Sequence, residues 1–115
     1  MNLRDFISSD LRSQWIDEPG LSYYVRKSIF FPGSIELANC GADPDSREFG
    51  YWRFLKRYAR EIPFIAEQVI NPDLASLYRR LRWRERDIGG IPQFASPLMV
   101  ERFCDEPCFR RLYPE

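Results

Sequence analysis

The stretch "SIELANCGADPDSREFGYWRFLKRYAREIPFIAEQVI", residues 34–70, holds two periodicities in succession. "SIELANC" alternates, with Ile35, Leu37 and Asn39 on one side and Glu36, Ala38 and Cys40 on the other, the pattern of a strand with one mixed face. "GADPDS" reads as loop, in which Asp45 or Ser46 can cap a following helix. From Gly50 to about Ile62 the apolar positions Tyr51, Phe54, Leu55, Tyr58, Ala59 and Ile62 recur at three and four, an amphipathic helix ended by Pro63. "FIAEQVI" is then a buried strand. Strand, helix and strand in this order can form a right-handed crossover, which predicts an α/β or α+β sheet.

Upstream, residues 3–12 put Leu3, Phe6, Ile7 and Leu11 on one helical stripe, and "DEPG" at 17–20 ends it. "LSYYVRKSIFF" reads as one strand, and "FPG" at 31–33 as a turn that pairs it antiparallel with the segment after it. Downstream, "NPDLASLYRRLRW" starts a helix with Asn71 as N-cap and Pro72 at the first helical position, with Leu74, Leu77, Tyr78 and Leu81 as its apolar stripe. Residues 87–115 carry weaker signals. "GGIPQFASP" is loop or a glycine-marked turn, "LMVERF" a strand or short helix, and "CFRRLY" a terminal strand. There are no repeats.

A chain of 115 residues, 44% hydrophobic and 16% aromatic, suits one folded domain over 1–115. Zero net charge weighs against general nucleic-acid binding, yet residues 47–86 hold ten Lys/Arg against five Asp/Glu. "RRLRWRER" at 79–86 has the right flavour for phosphate contacts, and a solvated helix end explains it equally well. Three cysteines and no histidine argue against a disulfide framework, a mixed zinc site and Ser-His or Cys-His catalysis, so no metal is expected. No apolar run reaches membrane-spanning length and the N-terminus lacks a hydrophobic signal core, so a cytoplasmic location without membrane contact is expected.

"REFGYW" at 47–52 poses the chemical question. A helix N-terminus at the end of a strand offers free N–H groups to an anion, Gly50 removes the Cβ that would hold a phosphate off, and Arg47 can add a charge-assisted contact. A capped surface helix with an incidental glycine explains the same residues. The glycine pattern of a nucleotide loop is missing.

The succession of parts from about Ile35 to Trp83 resembles the central half of the GCN5-related N-acetyltransferase (GNAT) superfamily. Arg47-Glu48-Phe49-Gly50-Tyr51-Trp52 is similar to its Arg/Gln-x-x-Gly-x-Gly/Ala pyrophosphate loop, with Trp52 in place of the last small residue. Asn71 and Tyr78, seven apart, match the Asn-led helix that ends in Tyr-x-x-x-Gly-Phe, with Arg82 in place of the glycine and Trp83 for the aromatic. Since glycine often supplies positive φ there, Arg82 implies a different turn. Shortened members of this appearance, with an abbreviated N-terminal region, occur among phage-encoded proteins.

The resemblance implies a GNAT-like mixed central sheet flanked by helices, a cofactor of acetyl-CoA or another CoA thioester, and transfer of the acyl group to an amine on a small molecule or a protein. Backbone groups near Asn39 and Cys40 would pair with the pantetheine amides in a notch between two splayed strands. The pyrophosphate would sit on the N–H groups of Phe49, Gly50, Tyr51 and Trp52, with Arg47 beside it, and Asn71 would be a further cofactor-binding residue. Glu36, or else Glu67, would accept the amine's proton, and Tyr78 would return one to the thiolate. Each residue has a plain role too: Tyr78 as core, Asn71 as cap, Glu36 as a solvent-facing side chain, Glu67 as an arginine's partner, Cys40 as a small buried residue. Trp52 could crowd the pyrophosphate or stack outside it.

The alternative is a non-catalytic protein-interaction module on the same scaffold. Trp52, Trp83, Tyr23, Tyr24, Phe30 and Phe31, with the arginines, would anchor a protein partner, and residues 89–115 would form the recognition surface.

Overall fold

The computed structural model describes residues 1–18, 21–42 and 47–114, and of residues 39–42 and 47–52 the backbone alone. Among these lie five helices and one mixed six-stranded sheet. In chain order they are α1 (Leu3–Ser8), β1 (Ser13–Glu18), β2 (Leu21–Lys27), β3 (Ile35–Ala42), α2 (Arg47–Tyr58), β4 (Phe64–Ala66), α3 (Pro72–Arg80), β5 (Arg84–Ile88), β6 (Ile91–Ala95), α4 (Pro97–Phe103) and α5 (Pro107–Leu112). The strands lie in the order β1-β2-β3-β4-β6-β5. β3 and β4 are parallel across the α2 crossover, and every other neighbouring pair is antiparallel. The expected α/β architecture is therefore present.

Alternation along the central strands builds two cores, one on each face of the sheet. Phe64 and Ala66 of β4 and Phe94 of β6 point to the inner face and pack with α1, α2 and α3 through Phe6, Tyr58 and Tyr78. Ile65 and Ala95, one residue along, point to the outer face and pack with Met99 of α4 and with Phe109 and Tyr113. Ser96 ties the second layer down: its hydroxyl accepts from the Phe64 N–H at 3.0 Å and from the Met99 N–H at 3.2 Å, capping α4.

Several expectations need correction. The N-terminal helix ends at Ser8, and Ile7 and Leu11 are exposed. Ser13–Glu18 is a strand rather than part of that helix and its stop; Pro19 and Gly20 of "DEPG" lie outside the described residues. The strand starting at Leu21 ends at Lys27, since Ser28 bonds back to Ser34 to form the turn, where Gly33 takes φ +90. Only Phe64–Ala66 of "FIAEQVI" is strand. "RERDI" and "IPQFA" form a hairpin around Gly89 and Gly90, both at positive φ. "CFRRLY" is helix, because Phe109 and Tyr113 are four apart and fill the outer core from one helical face.

Arg82 departs from expectation in the other direction. It takes φ +62 itself, so the turn after α3 is the one a glycine would make. The Trp83 N–H bonds to the Tyr78 carbonyl at 3.1 Å and the Arg82 N–H to the Arg79 carbonyl at 3.0 Å, a Schellman cap. Its accompanying apolar contact is Tyr78 on Trp83, with ring centroids 4.6 Å apart.

Candidate functional site

The parallel pair β3–β4 is short. Its register covers Ile35–Phe64, Glu36–Ile65 and Leu37–Ala66, and the Glu67 N–H then donates to the Leu37 carbonyl at 2.9 Å. Past that rung the two strands follow different neighbours. Gln68 takes φ +45, which turns the chain, and the Val69 N–H bonds to the Pro92 carbonyl on β6 at 2.9 Å. β3 meanwhile stays on β2 as far as Ala42. A register shift places Val25 opposite Leu37 and Tyr24 opposite Asn39, so Ala38 is the extra residue of a bulge, a feature that bends the strand bearing it. The result is a wedge-shaped cleft of about 690 Å³ bordered by Leu37, Ala38, Ala66, Glu67, Asn71 and Tyr78.

Two carboxylates stand on the outer face nearby: Glu67 borders this cleft, whereas Glu36 lines a separate hollow with Arg12, Ser13 and Phe30. Glu36 is opposite Arg26 in the β2–β3 register, and Glu67 follows Ile65 at the same parity. The Arg26 guanidinium bridges them, donating from Nε to Glu36 Oε1 at 3.2 Å and from Nη2 to Glu67 Oε2. Burial, and secondarily the Glu67 charge, push the Glu36 carboxyl above the usual glutamate range, while Arg26 pulls it back down. Glu36 is thus a half-buried acid tuned toward the neutral form, the kind of perturbation found at proton-transfer sites.

Tyr78 reaches the cleft from the inner side. It is only 2% exposed, wedged between Trp83 and Phe94, so most of its surface belongs to the core. Asn71 borders the cleft while its side chain caps α3 by accepting from the Asp73 N–H at 2.8 Å. α2 starts at Arg47, three residues earlier than expected, so the first-turn N–H groups that have no partner within the helix are those of Arg47, Glu48 and Phe49, whereas the expected set was Phe49 to Trp52. The expected roles of the side chains of Asn39, Cys40, Arg47, Phe49, Tyr51 and Trp52, and the capping by Asp45 or Ser46, lie outside the described residues. Gly50 lies within α2.

Arg26 is the member that sequence reasoning missed. Its signal was its place on the Ser22, Tyr24, Arg26 face of β2, which an antiparallel turn brings against β3. The aromatic anchors of the interaction reading divide. Tyr23, Phe31 and Trp83 are buried, and residues 89–115 supply Phe94, Met99, Phe109 and Tyr113 to the cores, whereas Phe30 is exposed.

Among the described residues no group of His, Cys, Asp or Glu could hold a metal ion, and no helix is long and apolar enough to cross a membrane. Comparison with known protein families, curated proteins and solved structures finds no match.

Proposed function

We propose that this chain is a small, divergent GNAT-like protein that transfers an acyl group from acetyl-CoA, or another CoA thioester, to an amine. The observation that carries the reading is the divergence of β3 from β4 after the Glu67–Leu37 rung. It leaves the Ala38–Ala42 edge of β3 without a strand partner on the cleft side among the described residues, free to pair with the amides of a pantetheine arm. The pyrophosphate would lie on the first-turn N–H groups of α2, the next described element after β3.

The chemistry would use Glu67 and Tyr78 at the cleft and Glu36 beside it, across Arg26 from Glu67. Glu36 accepts a proton from the incoming ammonium, or from the nitrogen as it attacks, with Glu67 as the other candidate. The neutral nitrogen adds to the thioester carbonyl carbon, the C–N bond forms, any proton the nitrogen still carries in excess passes to water, and the C–S bond breaks. Tyr78, or water, protonates the departing thiolate. Calorimetric titration with acetyl-CoA tests the reading: saturable micromolar binding that is lost on charge reversal at Arg47 supports it, and absence of binding overturns it.

One observation favours the second reading, a non-catalytic protein-interaction module. Ile29 and Phe30, 71% and 77% exposed, project from the β2–β3 connection beside Arg12 and Lys27, residue types suited to anchoring a protein partner.

A further inference from the structure

The sheet ends in two edge strands, β1 and β5, and each offers a row of backbone groups that no neighbouring strand among the described residues takes up. On β1 the register identifies that row. The Lys27 N–H donates to the Arg12 carbonyl at 2.9 Å, so Arg12 and Lys27 form a hydrogen-bonded pair. By alternation Gln14, Ile16 and Glu18 also turn their backbone groups to β2. The N–H and C=O groups of Ser13, Trp15 and Asp17 therefore point outward, away from the sheet.

The two edges differ in how they meet a second copy of themselves. Two identical strands paired antiparallel about a two-fold axis in one sheet keep each face on its own side, so one residue at the centre must oppose its own copy. On β5 a centre at Arg84, Glu85, Arg86 or Asp87 opposes like charges. β1 has no such guard and no bulge in its register with β2. Centred on Trp15, it sets Ser13 opposite Asp17 of the second copy, Gln14 opposite Ile16, and Arg12 opposite Glu18, with no like-charged pair.

The side chains suit those pairings. Arg12 is exposed and has no carboxylate partner among the described residues, while Glu18 meets the Arg57 guanidinium only at 3.9 Å. Ser13 Oγ accepts from the Tyr24 hydroxyl at 2.7 Å, which leaves its own proton for Asp17 of the second copy. Trp15 is half exposed and leans on Tyr24, ring centroids 5.3 Å apart, on a face that α4 and α5 leave uncovered, since their core takes only Phe31, Ile65 and Ala95 from the rest of the chain.

We propose that the β1 edge is a homodimer interface: two copies pair β1 to β1 antiparallel about a two-fold axis at Trp15, giving one continuous sheet. The N–H groups of Ser13, Trp15 and Asp17 in each copy donate to the carbonyls of Asp17, Trp15 and Ser13 in the other. The two indoles meet across the axis, and Arg12 pairs with Glu18 at both ends. An edge of six residues buries less than the roughly 1,200 Å² at which standard interfaces begin, so the dimer is expected to dissociate reversibly at micromolar concentration. The pairing does not depend on acyl transfer, because the β3–β4 cleft lies beyond β2.

Sedimentation equilibrium and amide hydrogen exchange of the full chain, each over a concentration series, test the proposal. A monomer–dimer equilibrium is expected. Exchange of the Ser13, Trp15 and Asp17 amides should slow as the dimer forms, while those of Gln14, Ile16 and Glu18, already bonded within the chain, stay slow throughout. Arg12→Glu should weaken the dimer about tenfold by opposing Glu18 of the second copy, and Arg84→Ala on the other edge should leave it unchanged. A monomer at every concentration, a dimer whose Ser13, Trp15 and Asp17 amides exchange no slower than in the monomer, a dimer equally strong in Arg12→Glu, or one weakened by Arg84→Ala would each overturn the proposal. Should Arg12→Glu fail to fold, the alternation of exchange along β1 in the unaltered chain decides the matter.

Discussion

The Glu67 N–H donates to the Leu37 carbonyl at 2.9 Å, and beyond that bond β3 and β4 part. Gln68, next in the chain, makes the turn at φ +45, a region that L residues with bulk at Cβ enter at a cost. Gln68→Val is expected to lower stability by about 1–2 kcal/mol, and Gln68→Gly to leave it unchanged or higher. Urea unfolding of the two variants checks both signs.

Arg82 holds the C′ position of the α3 cap at φ +62, is solvent-exposed, and has glycine's conformation without glycine's freedom from a Cβ. Arg82→Gly is expected to stabilise the fold by about 0.5–1 kcal/mol, the strain relieved less the added chain entropy of the unfolded state. Thermal unfolding reads the shift. The Tyr78–Trp83 contact should survive the change, which tryptophan fluorescence reports.

Glu36 has a folded pKa raised above its ordinary value, first by burial and then by the Glu67 charge. A carboxyl raised in this way binds its proton more tightly when folded. Its contribution to stability is therefore complete below the unfolded pKa of about 4.3 and is lost as pH rises through the folded value. Glu36→Gln lacks that loss, so its melting temperature should gain on the wild type between pH 4 and pH 8. A constant difference across the range would show that Glu36 titrates normally. If Glu36 is the base, the acidic limb of the rate profile follows the same raised pKa.

Tyr78 separates core from chemistry. Tyr78→Phe preserves the ring packing against Trp83 and Phe94, so melting should change little beyond the loss of the hydroxyl's own interaction. If the hydroxyl protonates the thiolate, turnover should fall about 10²-fold or more with acetyl-CoA affinity unchanged. Equal turnover in both proteins would leave Tyr78 as a core residue and assign the proton to water.

The middle of the fold was legible because its signals are local. The alternation of Ile35 to Cys40, the three-four spacing of α2 and the Asn71-Pro72 start of α3 each need no tertiary partner to be read. β1 and β5 were not legible for a shared reason: both are edge strands, and each exists because its neighbour bonds to it. In "SQWIDE" only Ile16 is buried, and in "RERDI" no residue is, so no apolar pattern marks either. α5 misled because "CFRRLY" is short enough to fit both periods, and only the outer core selects the helical one. At the site, Glu36 and Glu67 could be named from sequence as acids on two strands. Arg26 could not, because what links it to them is strand register, with the β2–β3 bulge and the short β3–β4 ladder bringing residues 26, 36 and 67 together.

The most direct test of the cleft is a map of backbone amide shifts as coenzyme A is added to isotopically labelled protein. The account predicts changes grouped on Leu37–Ala42, on Glu67–Asn71 and on the first turn of α2 from Arg47, with β5 and α5 unmoved. An unperturbed spectrum at millimolar coenzyme A, or changes confined to the β5–β6 hairpin and the terminal helices, would contradict it.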